Sequence, residues 1–168
     1  MVRSLFLIIV LAALFGNCST DMKTCTQQVD AATLAAVDQT KLALDVIALD
    51  AYLAANNITT AIKDGAMRYV ITTAGTGKTP CLESAITVIY AGRLMAPPGT
   101  TFDSSVNPVT FQLSSLILGW KLGFLKLSKG GSATLYIPSG YAYGKNSQTG
   151  IPANSNLIFD VQLVDITF

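Results

Sequence analysis

The residues able to do chemistry are few, and the first informative one is missing: the 168-residue chain contains no histidine. That excludes Ser-His-Asp and Cys-His nucleophiles, histidine zinc sites and HExxH proteases. It also removes the one side chain whose ordinary pKa suits proton shuttling at neutral pH. The carboxylates form no spaced acid pair. Asp160 and Asp165 alternate with apolar neighbours and read as solvent-facing strand residues. Asp103, between Phe102 and Ser104-Ser105, is either a turn cap or a site residue. Gly75-Thr76-Gly77-Lys78-Thr79 invites a phosphate-loop reading, but Thr72 stands where the leading glycine belongs and Pro80 follows where a helix must start. A strand-connecting turn is the expected role. The aromatics are the stronger signal: Tyr90, Phe102, Phe111, Trp120, Tyr141, Tyr143 and Phe159 all follow residue 85. Most aromatics at strand and helix positions build a core. Tyr143 lies instead in a stretch rich in Gly, Ser and Asn, where core packing explains less.

Composition sets the frame for these residues. Apolar residues make up 51% and charged residues only 12%, with a mean hydropathy of +0.48, which excludes a disordered or collagen-like chain. A net charge of +1 leaves no cationic surplus for sequence-blind nucleic-acid binding, so no nucleic-acid partner is expected. The length suits one domain with a real core. No metal or cofactor is expected.

Part of the hydropathy is local. After Arg3, Leu5 to Phe15 is a nearly unbroken apolar run, too short to span a bilayer comfortably. It reads as the core of a signal peptide over residues 1–17, better than as a buried helix, because nothing polar marks a second face. Leu14-Phe15-Gly16-Asn17-Cys18 resembles the lipobox of a bacterial lipoprotein, with Asn17 and Phe15 as departures; ordinary cleavage nearby is the alternative. Lipid on Cys18 would tie the protein to a membrane of the bacterial cell envelope, in the periplasm or at the outer membrane. Three cysteines are an odd count for an exported chain. With Cys18 lipidated, Cys25 and Cys81 remain, either as a disulfide in an oxidising compartment or as two unpaired thiols.

The elements that must position the site follow from periodicity. Residues 18–29 are polar and read as a tether. Residues 30–64 form an N-terminal helical segment: Leu42, Val46, Leu49 and Leu53 share one helical face, and Asn56-Asn57 is a stop signal. The pattern is one helix, or two broken near Asp38-Gln39-Thr40. It docks either on the domain or on a second copy of itself, which leaves the oligomeric state open. From Gly65 the character turns to β. Strands are expected over Met67–Thr73, Ala85–Leu94, Val109–Leu113, Ser132–Ile137 and Leu157–Ile166, with a short helix within Leu116–Leu127. A loop from Pro138 to Asn156 is long for a compact domain, a length that is often functional. These elements describe an antiparallel α+β domain over residues 65–168.

Seven blocks in order then resemble the FKBP-type peptidyl-prolyl cis-trans isomerase family: Gly75-Thr76-Gly77, Val88-Ile89-Tyr90-Ala91-Gly92, Phe102-Asp103-Ser104-Ser105, Ile117-Leu118-Gly119-Trp120, Tyr136-Ile137-Pro138, Tyr141-Ala142-Tyr143-Gly144, and Ile151 through Phe159. The preceding helix is similar to that of exported lipoprotein members. The resemblance implies a sheet of five to six antiparallel strands wrapped around one short helix, with a pocket between them. It assigns the floor to Trp120 and the aromatic walls to Tyr90, Phe102 and Phe159. The Ile117 N–H and the Tyr143 hydroxyl would donate to peptide carbonyls. Asp103 would orient the edge, with Val109, Leu116 and Ile151 completing substrate contact. Proline-containing polypeptides are the implied partners, and the family's macrolide inhibitors are candidate ligands. The chain departs from the family at several points. Val109 stands where a pocket aromatic is usual, and the short stretch after Ser105 lacks the nearby basic residue that usually pairs with the aspartate. Ser115 replaces an acidic residue, and Gln148-Thr149 stand where some members have histidine. A pocket-based chaperone with little turnover is therefore kept as the second reading.

Overall fold

The computed structural model describes residues 25–168. The expected signal peptide and the lipidation site Cys18 lie outside the described residues. Two helices come first, α1 (Ala31–Ala35) and α2 (Gln39–Ala55), so the break falls at Asp38. Each starts on an aspartate side chain: Asp30 accepts from the Thr33 N–H at 2.8 Å and Asp38 from the Lys41 N–H at 3.0 Å. Six strands follow: β1 (Ile62–Asp64), β2 (Met67–Thr73), β3 (Ala85–Leu94), β4 (Thr101–Gln112), β5 (Ser132–Ile137) and β6 (Leu157–Thr167). They form one antiparallel sheet in the order β1-β2-β5-β6-β3-β4, and a short helix α3 (Leu118–Phe124) lies against it.

Alternation along the strands divides the sheet into two faces. Leu135 and Ile137 of β5, Leu157, Phe159, Val161 and Leu163 of β6, and Ile86 and Val88 of β3 point inward and bury with Trp120 and Phe124 of α3. Two glycines on one side of α3 let it lie close. A Cβ on Gly123 would meet Leu135 Cδ1 at 2.6 Å, and one on Gly119 would strike Ile137. Tyr136 and Ile158 point the other way and pack under Leu49 and Leu53 of α2. The helical segment thus docks on the outer face of its own domain, the first of the two roles expected for it.

Three features differ from the sequence reading. The strand expected over Val109–Leu113 is the end of β4, twelve residues long, because Ser105 and Val109 pair with Tyr90 and Val88 while residues 106–108 are looped out between them. The sheet begins at Ile62, three residues before Gly65, and β1 went unpredicted because three residues carry no periodicity. Part of the expected tether is bound. Cys25 and Cys81 form a disulfide with Cα atoms 5.2 Å apart, and the Leu82 N–H donates to the Thr26 carbonyl at 3.0 Å. Gly77 donates to the Lys129 carbonyl at 3.1 Å, so the Gly75–Thr79 segment is a turn packed on another turn.

Candidate active site

Between the inner face of the sheet and α3 lies a cavity of about 190 Å³. Trp120, 5% exposed, stands at its centre. Four rings meet the indole edge-on: Tyr90 at 5.2 Å, Phe159 at 5.2 Å, Phe124 at 5.2 Å and Phe111 at 6.0 Å between centroids. Phe102 stacks edge-on against Phe159 at 5.5 Å. Edge-to-face contacts of this kind add about 1 kcal/mol each beyond burial and hold the rings in fixed orientations. The indole N–H is buried and, among the described residues, has no hydrogen-bond partner. An unmet donor costs about 1–3 kcal/mol, so folding alone does not account for its place on the cavity floor.

The other polar groups enter at the rim. The Tyr90 hydroxyl donates to Asp103 Oδ2 at 2.7 Å. Burial first, and then this bond to a carboxylate, push the Tyr90 phenol up to about 12, so it remains a donor at any physiological pH. Burial and the nearby Asp103 charge also raise the Tyr143 phenol. The Tyr143 hydroxyl has no partner among the described residues, which leaves it free to donate outward. Ile117 caps α3 with extended backbone, φ −58° and ψ 151°. Its carbonyl accepts from the Trp120 and Lys121 amides, while its own N–H has no partner among the described residues. The cavity therefore offers an aromatic trough with one free donor on its floor, the Trp120 indole, and two at its rim, Tyr143 and the Ile117 N–H.

Tyr90, Phe102, Asp103, Leu116, Ile117, Trp120, Tyr143 and Phe159 all line this one cavity, although they come from β3, β4, the turn before α3, α3 itself, the long loop and β6. Two expected residues do not. Val109 pairs with Val88 and is 38% exposed, outside the cavity. Ile151 is buried, and its N–H and carbonyl both pair with Gln148 at 2.9 Å, closing the tip of the long loop. Phe111, two residues after Val109 on the same side of β4, supplies the wall instead. It was visible among the aromatics. The looped-out residues 106–108 shift the register, and that shift hides its place when positions are counted from Phe102. Among the described residues no salt bridge reaches Asp103, in keeping with the missing basic residue after Ser105.

A sheet curled around one short helix, with an aromatic pocket where they meet, defines the FKBP-type peptidyl-prolyl cis-trans isomerase class. The family's sequence profile matches residues 77–164, more than half of the chain, and the chain belongs to this family. It is similar to the isomerase FkpA of Buchnera aphidicola, 45% identical over 101 residues that cover 58% of this chain and 41% of that relative. It is also similar to the isomerase Mip of Coxiella burnetii, 38% identical over 122 residues that cover 69% and 52% of the two chains. Among solved structures, the crystal structure of a peptidyl-prolyl cis-trans isomerase from Pseudomonas syringae superposes with a TM-score of 0.65 at 28% identity, covering 84% of this chain and all of that one. The chain spans about half the length of the curated relatives it matches, or somewhat less.

Proposed function

We propose that this protein is a peptidyl-prolyl cis-trans isomerase acting on Xaa-Pro bonds of exported or envelope proteins. The observation that carries the reading is the aromatic trough floored by Trp120 with its unmet indole N–H, and with further free donors at Tyr143 and Ile117 on the rim. Rotation about a prolyl bond is opposed by about 18–20 kcal/mol of amide resonance, and the uncatalysed exchange takes tens of seconds or more. Catalysis requires only that the twisted amide bind better than either planar form. The proline ring sits on Trp120 between Tyr90, Phe102, Phe111 and Phe159. Removing water from the prolyl carbonyl weakens the planar, charge-separated resonance form and so favours the twist. Tyr143 and the Ile117 N–H each hold a carbonyl flanking the rotating bond, so that one side turns while the other stays fixed. No bond breaks and no proton moves, in keeping with a site that lacks histidine.

The envelope part of the proposal rests on the signal-like residues 1–17 and on Cys18, the candidate lipid anchor. Support also comes from the Cys25–Cys81 disulfide, a bond of oxidising compartments. The test is exchange spectroscopy on a Xaa-Pro tetrapeptide with purified protein. Acceleration is expected, and Tyr143→Phe is expected to lower kcat/KM about fivefold, the worth of one hydrogen bond. No acceleration at any protein concentration defeats the reading. Val106, 87% exposed, and Val109, both on the edge strand β4, favour the second reading, a holding chaperone. Suppression of aggregation that survives Tyr143→Phe, without turnover by the parent, would establish it.

A further inference from the structure

Among the buried residues of α2 is one carboxylate. Asp45 is 2% exposed and shares its face of the helix with Leu42, Leu49 and Leu53. Burying a carboxylate is costly unless it is paired and hydrogen-bonded. Asp45 meets both conditions. Lys41, one turn back, pairs with it, and its Oδ2 accepts from the Ser139 hydroxyl at 2.6 Å. Ser139 is fully buried and opens the loop that carries Tyr143.

Every polar group of Ser139 is engaged in shaping that loop. Its N–H donates to Asn156 Oδ1 at 2.9 Å, joining the start of the loop to its end. Its carbonyl accepts from the Ala142 N–H at 3.0 Å and the Gly144 N–H at 2.8 Å, the two amides that flank Tyr143. Its hydroxyl is the remaining group, and Asp45 holds it. The next residue, Gly140, lies so close to the helical segment that a Cβ there would meet Val37 Cγ1 at 2.6 Å. Tyr143 lines the aromatic cavity and also a crevice shared with Val37 and Lys41, so the N-terminal helices stand behind it.

We propose that Asp45 is a positioning residue for the isomerase site: through Ser139 it holds the Tyr143 loop, and the N-terminal helical segment thereby completes a site to which it contributes no lining residue. This rests on the isomerase reading and deepens it. A docking helix needs only apolar contacts, which Leu49 and Leu53 supply. A buried carboxylate aimed at one hydroxyl of the site loop adds orientation, which apolar contacts do not.

The experiment is a double-mutant cycle on the full chain between Asp45→Ala and Tyr143→Phe, reading kcat/KM on a Xaa-Pro tetrapeptide, together with amide hydrogen exchange. Asp45→Ala is expected to lower kcat/KM about fivefold in the parent and by less than about twofold once Tyr143 is Phe. Asp45→Asn, which still accepts from Ser139, is expected to stay within about twofold of the parent. The Ala142 and Gly144 amides should exchange at least about tenfold faster in Asp45→Ala. If Asp45→Ala does not fold, Ser139→Ala removes the same bond and should give the same pattern. Leu53→Ala loosens the same helix without touching Ser139 and should leave kcat/KM unchanged. Equal losses in both Tyr143 backgrounds, unchanged exchange at Ala142 and Gly144, or an equal activity loss in Leu53→Ala would each overturn the proposal. A parent without turnover defeats the isomerase reading instead, and the exchange data then still decide whether Asp45 holds the loop.

Discussion

The two faces of the one sheet are closed to different degrees. On the inner face the cover is α3, seven residues long, over strands rich in aromatic and branched side chains. At about 1.5 Å per residue such a helix is roughly 10 Å long and cannot shield the whole face. What it leaves uncovered is the trough over Trp120, with an indole N–H unmet. On the outer face the cover is α2, seventeen residues long, and the patch beneath it around Tyr136 and Ile158 is sealed. Leu49, Leu53, Tyr136 and Ile158 form a small sealed cluster there. Beside it Arg68, 4% exposed, spends its guanidinium on Asp50 Oδ1 at 2.7 Å and on the carbonyls of Gly65 and Met67 at 2.9 and 2.8 Å. The same sheet thus carries an open trough on one face and a sealed patch on the other. Asp45 and Ser139 join the two.

The contrast can be broken from either side. Trp120→Ala removes the floor of the inner face: kcat/KM should fall by at least about tenfold, with about 3 kcal/mol lost in denaturant unfolding. An unchanged kcat/KM would mean that the trough is not the site. Leu49→Ala on the outer face should cost about 3 kcal/mol as well, while kcat/KM measured where the variant is folded stays at the parent value. An activity loss matching that of Trp120→Ala would erase the division of labour. Asp50→Ala leaves the buried Arg68 guanidinium without its carboxylate and should cost about 2 kcal/mol, again without effect on turnover. The acid limb sharpens this expectation. The Arg68 hydrogen bond, helped by Lys63 and opposed by burial, pulls Asp50 down from 3.8 to about 2. A depressed carboxylate adds stability that is present above its unfolded pKa and is lost as pH falls towards 2. Thermal melts between about pH 4 and 2 should therefore drop less in Asp50→Ala than in the parent. The smallest effect is expected of pH on turnover. With no histidine, kcat/KM should vary less than about twofold between about pH 6 and 9. The Tyr90 phenol, raised from 10 to about 12, adds stability that is full below pH 10 and is lost as pH rises through 12. A basic limb in unfolding that begins above pH 10 and weakens in Tyr90→Phe checks this.

Much of the fold was legible in the sequence because it rests on periodicity. The alternation through Ile86, Val88 and Tyr90 and the helical spacing of Leu42, Leu49 and Leu53 each report one buried face, and that signal survives without knowledge of a partner. The break at Asp38 was one of two readings the sequence left open, and the structure decides it with an aspartate side chain that caps the start of α2. The length of β4 was not legible. A strand interrupted by Val106-Asn107-Pro108 loses its alternation where it bulges, and the bulge length sets the register. The same bulge took Val109 out of the candidate site and put Phe111 into it. Asp45 was not legible for a different reason: an aspartate on a helix is ordinarily solvated, even with a lysine one turn back, and its second partner, Ser139, is 94 positions away.

The sequence by itself determined the chemistry that is absent, the α+β alternation and the cast of aromatics. These depend on residue types and on local spacing, which folding does not alter. Only the tertiary structure decided which aromatics converge on Trp120, that α2 docks on the outer face of its own sheet, and that a buried aspartate stands behind the Tyr143 loop. Each of these is a contact between residues far apart in the chain, fixed by strand register and by the reach of a helix, and neither quantity is written in any local window of residues.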